Sequence, residues 1–178
     1  FHAFSKDFAF VESIHLDIPD LKTIDLFKVH NDRYILLSGA NAQNNGTIWI
    51  YDIANSNYSS YEPNGLVLSL CFVDEDTLAS LISSASGVHI ELYNVSAQAV
   101  EGTIDVSTNF AITLGVGPDG KIYYASNRGI YQANEDDHKN VGYIDSIPEN
   151  AYNETMLKIF PLSDACYVWV NGNEYIEC

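Results

Sequence analysis

Five histidines (His2, His15, His30, His89 and His138) and three cysteines (Cys71, Cys166 and Cys178) are the side chains best suited to metal or nucleophile chemistry. None of the histidines falls into a His-x-His or His-Glu-x-x-His spacing, whereas zinc sites are built from closely spaced ligands. A repeated fold can gather ligands from distant equivalent positions, but nothing in the sequence groups these five, and no metal is expected. Oxygen-rich loops can hold calcium. The acidic runs Asp74-Glu75-Asp76 and Glu135-Asp136-Asp137, and the single Asp119, offer such oxygens. None follows the alternating Asp-x-Asp-x-Asp-Gly pattern, so no cofactor is expected, with calcium as the alternative. No serine stands in a Gly-x-Ser-x-Gly elbow, and no cysteine and histidine are paired by a recognisable motif. Gly115-Val116-Gly117-Pro118 precedes a strand rather than a helix, which is not the setting of a phosphate loop.

The cysteines are odd in number, so no closed disulfide framework is implied. Cys166 and Cys178 flank a hairpin at Asn171-Gly172. A three-residue loop sets them opposite each other and a two-residue loop offsets them by one, so free thiols and a cross-strand disulfide both fit. Formal net charge is −16, from 24 acidic and 8 basic residues. Such a balance speaks against nucleic acid, whose phosphates need clustered Lys and Arg, and against an anionic membrane surface. It favours a basic protein partner or a cation, and it also keeps a strand-rich surface soluble. No apolar run approaches the length of a membrane span, so no membrane insertion is expected.

The elements that would carry any site come from a fixed period. Asn31-Asp32-Arg33-Tyr34-Ile35, Glu75-Asp76-Thr77-Leu78-Ala79, Asp119-Gly120-Lys121-Ile122-Tyr123 and Ser163-Asp164-Ala165-Cys166-Tyr167 stand 44 residues apart. Each is a polar turn entering an apolar strand, and Asn, Asp and Gly suit such turns. An apolar run precedes each turn: Leu26 to Val29, Leu66 to Val73, Ala111 to Val116 and Met156 to Phe160. A second run follows each: Tyr34 to Leu37, Leu78 to Ile82, Ile122 to Ala125 and Cys166 to Val170. Third strands are read at 47–53, 88–95, 129–133 and 174–176, and outgoing fourth strands at 59–61, 99–104 and 141–147. Four short strands repeated at constant spacing, without helical periodicity, are the signature of propeller blades, since one small sheet cannot cover both of its own faces.

Gly46-Thr47-Ile48-Trp49-Ile50-Tyr51-Asp52-Ile53 resembles the third strand of a WD40-type repeat, with Tyr51-Asp52 in the place of the Trp-Asp pair. The stretch from Ser69-Leu70-Cys71-Phe72 to Val95 is similar to a whole WD40-like unit. Pro118-Asp119-Gly120-Lys121-Ile122-Tyr123 is similar to the turn of bacterial propellers of the YVTN type. The Gly-His dipeptide and a true Trp-Asp pair do not occur.

One propeller domain is therefore expected over 1–178: a blade end at 1–20, blades at 21–63, 64–106 and 107–148, and a partial blade at 149–178. Phe1-His2-Ala3-Phe4 reads as the end of a third strand and 8–18 as a fourth strand and its exit. The duplicated third-strand slot favours part of a larger ring, with a small four-bladed ring as the alternative. Open blade edges would then allow a homo-oligomer.

Recurrent aromatics such as Tyr51, Tyr93 and Tyr131 are expected to pack between blades. Tyr58, Tyr61 and Tyr152 fall outside that register, the first two beside the Asn- and Ser-rich stretch 54–60, and are the candidate partner-binding residues. Sequons at Asn45, Asn57, Asn94 and Asn153 establish neither secretion nor source, because Asn and Ser are common here. Low Lys and Arg, plentiful Asn, Tyr and Ser, and a start that implies a removed leader or more protein favour an extracellular or cell-envelope location, with the cytoplasm as alternative. The function expected is a non-catalytic binding or scaffold module that presents blade loops to a protein or extended ligand. The alternatives are a propeller hydrolase or lyase with an acidic site at the channel mouth, and a propeller accessory of a bacterial exported ligand-binding protein.

Overall fold

In the computed structural model the strands follow the period read from the sequence. The structure describes residues 1–5, 7–106, 111–117, 119–126, 129–133, 139–143, 158–161, 166–170 and 174–177, those beyond Ala133 by their backbone pairing. Among the described residues every regular element is a strand. Two compact units are present, Phe1–Ser60 and Tyr61–Cys178.

The first unit opens with a two-stranded antiparallel ribbon, β1 (His2–Phe4) and β2 (Phe10–Ser13). After the ribbon the chain leaves strand geometry, and Ile14, Leu16 and Ile18 join a core instead. A four-stranded sheet follows in the order β3 (Leu26–His30), β4 (Tyr34–Ala40), β5 (Gly46–Asp52) and β6 (Asn57–Tyr61), whose last residue opens the second unit. Side chains alternate across a strand, so Ile35 opposite Tyr51 and Leu37 opposite Trp49 share one face. These four are buried with Ile18, and Leu21 and Ile53 pack against them.

Strand β4 runs past Leu37 through Ser38-Gly39-Ala40, because residues 22–25 lie alongside its end. Asp25 N–H donates to the Ser38 carbonyl at 2.7 Å, Thr23 N–H to the Ala40 carbonyl at 3.1 Å, and Ala40 N–H to the Thr23 hydroxyl at 3.0 Å. Gly39 permits this approach: a Cβ there would sit 1.8 Å from the Thr23 carbonyl oxygen.

Among the described residues the second unit holds three sheets. The first comprises β7 (Leu66–Phe72), β8 (Thr77–Ser84), β9 (Gly87–Asn94) and β10 (Ala99–Asp105). The next comprises β11 (Thr113–Val116), β12 (Ile122–Ser126), β13 (Gly129–Gln132) and β14 (Lys139–Tyr143). The last has β15 (Lys158–Pro161), β16 (Cys166–Val170) and β17 (Glu174–Glu177). Among the described residues every strand pairs only with its neighbours in the sequence. One core joins the first two of these sheets: Cys71, Ala79, Leu81, Val88, Ile90 and Ile104 meet Ala111, Leu114, Ile122, Tyr124 and Ala133. In the last sheet Tyr167 lies opposite Glu177 and Val170 opposite Glu174. Cys178 is outside the described residues, and Cys71 is buried.

The turns are closed by their own polar side chains. Asn31 and Asp32 take positive φ (50° and 52°) between β3 and β4, as Asn and Asp tolerate. Asp74 Oδ1 accepts the N–H groups of Asp76 at 2.9 Å and Thr77 at 2.8 Å, and Asp76 Oδ1 accepts the hydroxyl of Ser96 at 2.7 Å. The bond from the Asp76 amide, with those from Thr77, holds the Asp74 carboxyl below its ordinary value. A group so shifted stabilises the fold above its unfolded pKa, and loses that contribution as pH falls through the folded one. Asp74→Ala is therefore expected to cost about 1 kcal/mol at neutral pH, with the gap closing in acid below the ordinary carboxylate pKa of 3.8. Urea unfolding of both proteins at neutral and acid pH measures it. A gap that persists in acid assigns the effect to the loop backbone.

Candidate binding edge and a buried carboxylate

Edge strands offer unpaired backbone groups, and proteins guard them with charges, prolines or bulges. Strand β10, the outer edge of its sheet, carries Glu101 and Asp105, with Glu101 bulged between Val100 and Gly102. Strand β14 carries Lys139 and a register shift opposite Ile130 and Tyr131. Strand β6 is also an outer edge, but it reads Asn57-Tyr58-Ser59-Ser60-Tyr61, with no charge and no proline.

The three tyrosines singled out from the sequence separate here. Tyr58 is exposed at 37% and Ser60 beside it is also exposed. Tyr61 turns inward. Its ring stacks on Tyr93 with centroids 4.1 Å apart and an interplanar angle of 7°, and its hydroxyl lies 2.7 Å from Ser80 Oγ. Burial pushes the Tyr61 hydroxyl well above its ordinary pKa, the Ser80 bond opposes this, and the charge of Glu91 and the neighbouring Tyr93 add to it. Tyr152 lies outside the described residues.

The Tyr61 contact leads to a polar cluster that sequence motifs did not reveal. On β8 and β9, Leu78 faces Tyr93, Ser80 faces Glu91 and Ile82 faces His89, all on one side of the sheet. Glu91 is buried, its side chain only 8% exposed. Its Oε1 lies 3.3 Å from His89 Nε2, and it accepts the Asn64 N–H at 3.5 Å. Its Oε2 is buried and has no hydrogen-bond partner. Two residues of a strand point the same way when they are two apart, so His89 and Glu91 form no metal-type motif yet meet in space. The signal available in sequence was the repeat itself, since Trp49 stands two residues before Tyr51 just as Glu91 stands two residues before Tyr93.

Asp52 and Asp119, by contrast, serve turns. Asp52, of the pair in the Trp-Asp place, accepts the backbone N–H of Asn55 at 3.1 Å and its side-chain amide at 2.9 Å, and lies 3.6 Å from Arg33. Burial would raise the Asp52 pKa, but the Asn55 bonds and Arg33 outweigh it and hold it low. Asn94 does the same in the next sheet, its Oδ1 accepting the Ala97 N–H at 2.8 Å. Asp119 accepts the Lys121 N–H at 3.1 Å and the Tyr123 hydroxyl at 2.9 Å. Among the described residues no three His, Cys, Asp or Glu side chains converge in a metal-binding arrangement. Residues 135–138 lie outside the described residues.

No family model and no curated protein matches the chain. Solved structures do. The chain is similar to the WD40 β-propeller domain of Doa1, with 16% identity and a TM-score of 0.60 over 87% of this chain and 50% of that one. It is also similar to the β-propeller domain of Cps50 (Swd1) from Myceliophteria thermophila, with 11% identity and a TM-score of 0.60 over 89% of this chain and 54% of that one. The chain thus spans about half the length of these structures. At such identities the likeness establishes the fold, and the four-stranded sheets are blades of a β-propeller.

Proposed function

We propose that this β-propeller repeat protein is a non-catalytic binding module that takes an extended segment of a partner protein as an added strand along β6. The observation that carries the reading is the unguarded β6 edge, beside β10 and β14, which carry charges and register shifts. Strand addition supplies affinity through main-chain hydrogen bonds and specificity through side chains beside the edge. Tyr58 is a rigid amphipathic contact placed for that second role, and Ser60 adds adaptable hydrogen bonding. Tyr61 holds the end of the strand in place through Tyr93 and Ser80. A net charge of −16 draws basic segments towards the protein before contact.

The test is a displayed library of linear peptides selected against the chain, with each enriched peptide then titrated. Tyr58→Ala and Ser60→Lys are each expected to weaken binding about tenfold, or ~1.4 kcal/mol, and to leave the unfolding midpoint nearly unchanged. Peptides that bind both variants as tightly as the original chain would place the binding surface elsewhere.

A further inference from the structure

Glu91 stands in a place that the first four-stranded sheet fills with tryptophan. In the first four-stranded sheet the pair next to Ile35 and Tyr51 is Leu37 with Trp49, both fully buried. Across β12 and β13 the pair next to Tyr124 and Tyr131 is Ser126 with Gly129. Across β8 and β9 the pair next to Leu78 and Tyr93 is Ser80 with Glu91. A charge buried in a position where the fold accepts tryptophan costs stability unless a counter-charge or donor meets it. This carboxylate meets little. Both contacts of Oε1 are long, at 3.3 and 3.5 Å, and Oε2 has none. Departures from a fold's own repeated pattern concentrate at functional positions.

We propose that Glu91, with His89, Ser80, Tyr61 and Tyr93, is a recognition site for the guanidinium group of an arginine carried by a ligand protein. The chemistry fits that cation. A carboxylate with a free oxygen accepts the planar guanidinium fork, and neighbouring tyrosine rings suit a weakly hydrated, flat cation. Solvent is close, since the carboxylate takes its backbone bond from Asn64, an exposed residue of the short 62–65 connection. The protein's negative charge favours the approach of a basic side chain. This site stands independently of strand addition on β6, because its residues lie on β8, β9 and at Tyr61, and a free arginine derivative probes it without any strand.

The experiment is a titration of the whole chain with argininamide, followed by backbone amide NMR shifts, with the neutral isostere citrullinamide as control. Saturable shifts at millimolar concentration, centred on Asn64, Ser80 and His89, are expected with argininamide and not with citrullinamide. Glu91→Gln should weaken the response at least tenfold. The absence of saturable shifts, an equal response to citrullinamide, or an unchanged response in Glu91→Gln overturns the assignment. The comparison of the two amides on the unaltered chain decides the question even if Glu91→Gln does not fold. Failure of both peptide-edge variants in the β6 test would leave this result untouched.

Discussion

Gly39→Ala is expected to destabilise the first unit by about 3 kcal/mol or more, among the largest effects of any single methyl group in the chain. The reason is a backbone contact. The added Cβ would lie 1.8 Å from the Thr23 carbonyl oxygen and 2.7 Å from its carbon. No rotamer change relieves a clash with main chain. Either β4 moves away from residues 22–25, breaking the bonds from Asp25 and Thr23, or the Gly39–Thr47 pairing shifts. Urea unfolding followed by tryptophan fluorescence measures the loss. A variant as stable as the original would mean that residues 22–25 do not lie along β4.

Trp49 sets the second large effect. It is fully buried opposite Leu37, in the core shared by Ile18, Ile35 and Tyr51. Trp49→Ala should cost about 3–5 kcal/mol through lost burial and the cavity left behind. Trp49→Phe should cost much less than half of that. The indole Nε1 is buried without a hydrogen-bond partner, so phenylalanine removes an unsatisfied donor along with part of the ring. Calorimetric unfolding of the two variants ranks them, and equal losses would show that the indole N–H is satisfied in solution.

The strands were largely legible because each repeat states its turn, its apolar entry and its exit in the same order. Legibility failed where tertiary contacts override local composition. Ser38-Gly39-Ala40 lies beyond the apolar run Tyr34 to Leu37, yet it extends β4 because residues 22–25 pair beside it. The fourth strand read as 59–61 begins at Asn57, since Ser56, at φ 50°, completes the turn that Asp52 and Asn55 close. The outgoing strand read as 141–147 begins at Lys139, and residues 144–147 lie outside the described residues. The candidate site was legible by halves. Tyr58 and Tyr61 look alike in sequence, three residues apart, and only the presence of Tyr93 and Ser80 turns one inward. Glu91 carries no motif in sequence: its meaning lies in comparison with Trp49, and only a register of side-chain faces sets the two side by side.

The strict neighbour-to-neighbour order of the strands also bears on how the chain acquires its structure at the ribosome. Each meander from β3 to β14 is complete once its own forty-odd residues have emerged, and none of its strands waits for a partner made later. Short closing loops bring such pairs together quickly and expose their edges briefly. The slow events are then the burials between finished sheets, such as Leu81 and Ile90 against Leu114 and Tyr124, which need two meanders at once. Pausing of synthesis between repeats would therefore be tolerated, whereas an interruption inside one would leave a hairpin half made, with apolar strands uncovered.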